Sequence, residues 1–147
     1  LFSKEESRQL RQEFWTSFGK SFPRKWLLYD TKIKGVAFKF HFDTKQALIA
    51  LDLEDVPKAI GMENRINCWE KLVALKGIFK SEFLPDAIYE EEYFLENGKE
   101  ISRIYLALDQ NVSIHNKNTW RDVMEFFNKN MSLFEAFFEE YKDLIKG

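Results

Sequence analysis

The chain has 147 residues, a formal net charge of -2 and 45% apolar residues, among them 15 Phe, 4 Trp and 5 Tyr. This length suits one domain with a sizeable core, and the aromatic content argues against intrinsic disorder. One cysteine excludes an internal disulfide, two histidines offer little for a structural zinc site, and no apolar run approaches the roughly 20 residues that span a bilayer. The expectation is a single α+β domain over residues 1–147, cytoplasmic, with no leader and no membrane association.

Ser3 and Glu6 have the S-x-x-E form of a capping box and predict a helix start. Leu10, Phe14 and Phe18 follow at helical spacing, and Gly19 suits a left-handed stop. Segment 21–35 reads as a basic connection broken by Pro23. Val36–Phe42 alternates: Val36, Phe38, Phe40 and Phe42 share one face, Ala37, Lys39 and His41 the other. Ala47–Leu53 is the next strand. A loop over 43–46 pairs Phe42 with Ala47 and Phe40 with Ile49, which keeps both apolar sets on one face; a loop one residue shorter would split them.

Asp55 and Pro57 read as the start of a helix that runs to about 79 and buries Ile66, Trp69, Leu72, Val73 and Leu75 or their neighbours. Asn97-Gly98 predicts a type I′ turn between strands near 87–95 and 101–109. That turn sets Phe94 against Ile101, Glu92 against Arg103 and Glu90 against Tyr105, with Tyr89, Tyr93, Ile104 and Leu106 on the other face. Residues 112–115 read as a short extension. The last helix is expected from an Asn118 N-cap. Its stripes, Val123, Phe127, Met131, Phe134 and Phe138 beside Phe126, Phe137 and Leu144, predict a helix sandwiched between layers or holding a partner. The architecture expected is helix–hairpin–helix–hairpin–helix, with an antiparallel four-stranded or slightly larger sheet and helices mainly on one face.

The charge is segregated. Lys20, Arg24, Lys25, Lys32, Lys34 and Lys39 face one acid, Asp30; Asp86, Glu90, Glu91, Glu92, Glu96 and Glu100 face one base, Lys99. One reading is a protein-binding or self-associating module, in which a homodimer sets one patch against the other. The alternative is nucleic acid, with Lys20, Arg24, Lys25, Lys32 and Lys34 on phosphates and Phe22, Trp26 and Tyr29 available to stack; a pI of 5.8 weighs against it.

Candidates for chemistry are sparse. Cys68 has no activating partner nearby in sequence and reads as an ordinary thiol. His41, Lys39 and Asp52 on one sheet face form a candidate acid–base cluster. Asp52, Glu90, Glu92 and Lys39 would be the groups of a nuclease-type site, but the acidic–x–lysine spacing that should follow Pro85-Asp86 is missing. No phosphate loop, dinucleotide fingerprint, nucleophile elbow or H-E-x-x-H motif occurs. Catalytic residues, metal ligands and cofactors are therefore not assigned, and the expectation is a domain that binds rather than catalyses.

Several runs carry a family resemblance: Glu13, Phe14, Trp15, Thr16, Ser17, Phe18, Gly19 and Lys20 leading into Phe22, Pro23, Arg24, Lys25 and Trp26; then Ile101 to Tyr105; then Asn116 to Trp120 and the aromatic last helix. Over nearly its full length the chain resembles the bacterial domain of unknown function 4268 family. The resemblance implies a short member that stands alone. Longer relatives carry a similar domain behind a restriction-nuclease-like module, which implies an accessory role near nucleic acid. Arg103, Trp120 and the strand Ala47–Leu53 match positions that the family pattern emphasises. The candidate binding set is Lys20, Arg24, Lys25, Trp26, Lys32, Lys34 and Arg103.

Overall fold

A computed structural model describes residues 1–56 and 61–146, without the side chains of 61–63. The helix start expected at Pro57 lies outside the described residues. The elements are α1 (Lys4–Ser21), β1 (Val36–Phe42), β2 (Ala47–Leu53), α2 (Gly61–Ala74), α3 (Lys76–Glu82), β3 (Ile88–Phe94), β4 (Glu100–Ala107), a 3-10 turn (Lys117–Thr119) and α4 (Trp120–Lys146). The strands form one antiparallel sheet in the order β1-β2-β4-β3. Among the described residues no helix is long and apolar enough to cross a membrane.

The capping box forms: Glu6 N–H donates to Ser3 Oγ and Ser3 N–H to Glu6 Oε1, both at 3.1 Å. α1 continues past Gly19 to Ser21, and Phe22 N–H closes it on the Phe18 carbonyl. Gly19 is not in the left-handed region, so its freedom is unused. The β1–β2 register matches the four-residue loop, with Phe42 opposite Ala47 and Phe40 opposite Ile49. Asp43 makes that loop: its Oδ1 accepts from Lys45 N–H and Gln46 N–H.

The second hairpin corrects the sequence expectation. Asn97 does not have the positive φ that a type I′ turn requires; only Gly98 does, at 85°. Gly98 N–H donates to the Leu95 carbonyl and Leu95 N–H to the Lys99 carbonyl. The loop is thus a three-residue turn ending in a left-handed glycine, and Phe94 lies opposite Glu100, not Ile101. A bulge between Glu90 and Tyr93 shifts the register again, so Glu90, not Glu92, faces Arg103, and Ile88 faces Tyr105. Tyr89 keeps its expected face beside Ile104, whereas Tyr93 changes sides and stands opposite Ile101.

The helix between the hairpins is two helices. Leu75 leaves helical geometry at ψ 1°, its N–H shared between the Lys71 and Leu72 carbonyls. The break lets α3 bury Phe79 against Phe134 and Phe137. Trp69 and Leu72 are buried as expected and Leu75 is half-buried, but Ile66 and Val73 face solvent. α4 starts at Trp120, after a 3-10 turn capped by Asn116, and residues 112–115 form no strand. Phe126 is half-buried, Phe137 fully buried and Leu144 exposed. The apolar circumference of α4 is therefore largely accounted for inside the chain.

The core lies between the sheet and the helices. Phe14 and Phe18 of α1 meet Phe42 and Phe40; Phe127, Phe134 and Phe138 of α4 meet Phe40 and Phe38; Trp69 and Phe79 meet Tyr89. All these strand residues belong to one face. Four buried apolar residues, Ala37, Leu48, Ala50 and Ile101, stand outside the core cluster, and all four belong to the opposite face.

Candidate functional site

The face turned away from the helices is built by strand alternation. Ala37, Lys39 and His41 of β1, Leu48, Ala50 and Asp52 of β2, and Ile101, Arg103 and Tyr105 of β4 share it. The bulge adds Tyr93, and Ile88 and Glu90 complete it on β3. Its floor is small and apolar; it is covered by its own long polar side chains and by the end of the β3–β4 hairpin, where Tyr93, Phe94, Leu95 and Glu96 line one cleft with His41, Leu48 and Arg103.

Asp52 is the centre, with 0% exposure. Arg103 binds it through Nε at 2.6 Å and a terminal nitrogen at 2.8 Å, and Lys39 Nζ lies 3.3 Å away. A buried carboxylate requires such partners, since desolvation without them costs several kcal/mol. Arg103 also lies over the Tyr93 ring, 4.4 Å from its centroid. Burial opposes the charge on Arg103; the hydrogen bonds and charge of Asp52 outweigh it and hold its pKa above the ordinary value. Tyr105 donates to Glu90 at 2.7 Å, and burial followed by that bond pushes its phenol up to about 12. His41 Nε2 lies 2.7 Å from Asp43 Oδ2. Burial raises the Asp43 pKa, but His41 and the two loop N–H groups win and lower it.

His41, Lys39 and Asp52 do share a face, but His41 pairs with Asp43 rather than Asp52. Of the nuclease-type set, Lys39 and Asp52 meet. Glu90 bonds Tyr105 instead, and Glu92 is exposed in the bulge. Among the described residues no three His, Cys, Asp or Glu side chains gather as a metal would need. The Asp52 oxygens are already taken by two cationic groups, a poor arrangement for a further cation. Cys68 is buried, and desolvation raises its thiol pKa.

The basic candidates are not gathered in one place. Arg24 donates to Ser132 Oγ at 2.8 Å and Glu135 Oε1 at 2.9 Å and caps the Trp26 ring at 4.5 Å. Trp26 packs on Phe18 and Phe40, on the helical side. Lys32 pairs with Asp30 at 2.7 Å. Lys20, Lys25 and Lys34 are exposed and make no ion pair among the described residues. Arg103 stands apart from all of them, in the Asp52 cluster. Sequence reasoning missed Glu135. A lone acid inside the apolar stripe of α4, beside Phe134 and Phe138, was the available signal: it is 4% exposed and also accepts from Leu27 N–H at 2.7 Å. It missed Tyr93 as well, and no glycine or proline marks the bulge that moved it.

The family model described as "Domain of unknown function (DUF4268)" matches residues 10–142. The chain belongs to the DUF4268 family. No curated protein and no solved structure matches it. Within this DUF4268 domain, the matched span runs from Leu10 in α1 to Lys142 in α4 and so includes the whole sheet and both of its faces.

Proposed function

We propose that this domain works by binding a protein partner on the open face of its sheet, and not by catalysis. The observation that carries the reading is the locked charged centre under that face: Asp52, fully buried, held by Arg103 and Lys39 where no helix packs. The titratable groups nearby are paired with one another, Tyr105 with Glu90 and His41 with Asp43, which suits a rigid platform better than a proton-transfer site. Tyrosine and arginine over a small apolar floor match the composition of well-desolvated interface centres. The test uses exposed positions. Ile88→Asp with His41→Glu alters the open face; Val73→Asp with Ile78→Asp alters the helical side as a control. Chemical cross-linking in cell extract should lose its products for the first pair and keep them for the second. Unchanged products from the open-face variant would refute the reading.

A second reading, single-stranded nucleic acid, is favoured by one feature. Tyr29, 76% exposed, shares a groove of about 300 Å³ with Trp15, Phe40 and Lys39. Aromatic rings beside a lysine suit stacked bases on a neutralised backbone. Fluorescence anisotropy with labelled oligonucleotides at low salt tests it: Tyr29→Ala should abolish saturable binding, and no binding by the unaltered chain would end it.

A further inference from the structure

The two edge strands of the sheet are protected unequally. β3 carries devices that discourage strand pairing, a bulge with Glu91 and Glu92 exposed in it. β1 carries two ionisable side chains, Lys39 and His41, and Asp52 and Asp43 hold them. The backbone of β1 can be followed group by group. Asp43 N–H donates to the Gln46 carbonyl, so Asp43 and, by antiparallel alternation, His41, Lys39 and Ala37 bond towards β2. Val36, Phe38, Phe40 and Phe42 therefore turn their N–H and C=O groups outward. Segment 22–35 takes the first of these. Val36 N–H donates to the Ile33 carbonyl, Phe38 N–H to the Leu28 carbonyl, and the Thr31 hydroxyl to the Val36 carbonyl. At the far end Ile114 N–H donates to the Asp43 carbonyl. In between, the Phe38 and Phe40 carbonyls and the Phe40 and Phe42 N–H groups have no hydrogen-bond partner among the described residues. Two clefts open on this stretch, and α1 contributes a wall to each. Trp15 stands with Leu28, Tyr29, Phe38, Lys39 and Phe40 around about 300 Å³, and Arg11 with Phe42, Asp43, Glu96 and Ile114 around about 350 Å³.

We infer that this edge of β1 binds an extended peptide of another protein, which pairs with Phe38–Phe42 as a fifth strand. The site is separate from the open face, and it takes the Tyr29 groove for a peptide rather than for bases. A row of unpaired donors and acceptors is matched by an extended backbone, whereas stacked bases would leave it unmet. In an antiparallel pairing, the residue opposite Phe40 exchanges two hydrogen bonds with it. That residue points, like Phe40, to the side of Trp15 and Leu28, where an apolar side chain fits. The residues before and after it point to the other face, beside Lys39 and His41, where acidic side chains fit. The centre of the peptide is therefore acidic, apolar, acidic. A second copy of this chain does not suit the site. Its own β1 is flanked by the same segments, 22–35 and 112–115, and the gap between them admits about five residues, roughly 17 Å of strand.

Selection of a random seven-residue peptide library, displayed on phage, against the whole chain tests this. Enriched peptides should carry the acidic, apolar, acidic centre and, made synthetically with blocked ends, should bind in the micromolar range by fluorescence anisotropy. N-methylation of the central residue removes the N–H that the Phe40 carbonyl accepts and should weaken binding at least about tenfold. Amide exchange at Phe40 and Phe42 should slow when the peptide is bound. Tyr29→Ala, at a position 76% exposed, should weaken binding, and Val73→Asp with Ile78→Asp should leave it unchanged. The proposal is overturned if no peptide is enriched, or if N-methylated peptides bind as well and the Phe40 amide stays unprotected. Oligonucleotide binding that Tyr29→Ala abolishes, with no peptide enriched, would return the groove to nucleic acid. A dimer that protects the Phe40 amide without any peptide would make the occupant a second copy and overturn the proposal as well.

Discussion

The two faces of the sheet come from alternate residues of the same strands, yet they are held by different forces. On one, Phe38 and Phe42 are covered by helices and packed ring against ring. On the other, Asp52, Arg103 and Lys39 form an ionic centre among Ala37, Leu48 and Ala50, beside the end of the β3–β4 hairpin. Apolar packing is non-directional and tolerates exchange of similar volumes. The ionic face depends on fixed geometry, because each buried charge is tolerated only through its partner. One face therefore holds the domain together, and the other holds a shape ready for contact.

That contrast yields predictions in descending order of effect. Phe134→Ala should cost the most, about 4 kcal/mol by urea denaturation, because it opens a cavity against Phe38 and Phe79. On the other face, Asp52→Ala should cost about 3 kcal/mol by leaving Arg103 and Lys39 unpaired. The double change Asp52→Leu with Arg103→Met should recover most of it, since an apolar replacement of a buried pair is often neutral or better. If the double variant is as unstable as the single one, Arg103 is packed against Tyr93 more tightly than its charge alone explains.

The two edges can be compared through their glycines. Gly35 has φ 81°, and a Cβ there would lie 2.6 Å from the Glu54 carbonyl oxygen; Gly98 has φ 85° in open space. Gly98→Ala should cost about 1 kcal/mol for left-handed strain alone. Gly35→Ala should cost visibly more, and equal losses would contradict the close approach.

The smallest effect is a slope with pH. Burial raises the Glu135 pKa above its ordinary 4.5, with the Leu27 N–H and Arg24 opposing. Between 4.5 and the raised value the folded chain keeps a proton that the unfolded chain has released, so stability falls as pH rises through that window. Arg24→Met removes an opposing influence and should steepen the fall; Glu135→Gln should flatten it. Denaturation midpoints across mildly acid pH read both.

Much of this was legible beforehand, and the exceptions have physical causes. β1 and β2 alternate strictly, and one face must be buried, so a single register satisfied them. In β3 three consecutive glutamates blur the alternation, and a bulge costs so little that the sequence does not mark it; Tyr93 changed faces as a result. The apolar spacing of Ile66, Trp69, Leu72, Val73 and Leu75 predicts one helix to about 79, yet burying Phe79 against α4 breaks it at Leu75. Lys39 and Asp52 were readable as face-mates, whereas the partners of Arg24 and Arg103 were not, since each depends on a contact between distant segments.

The sequence by itself determined the α+β class, the strands, the capped first helix and the charge of each segment, because these follow from local spacing and composition. Tertiary structure decided which charges remain free. Glu135 claims Arg24 and Asp52 claims Arg103, because a carboxylate taken out of water must find a cation. Lys25, Lys34, Glu91, Glu92 and Glu96 are left exposed and without an ion pair among the described residues.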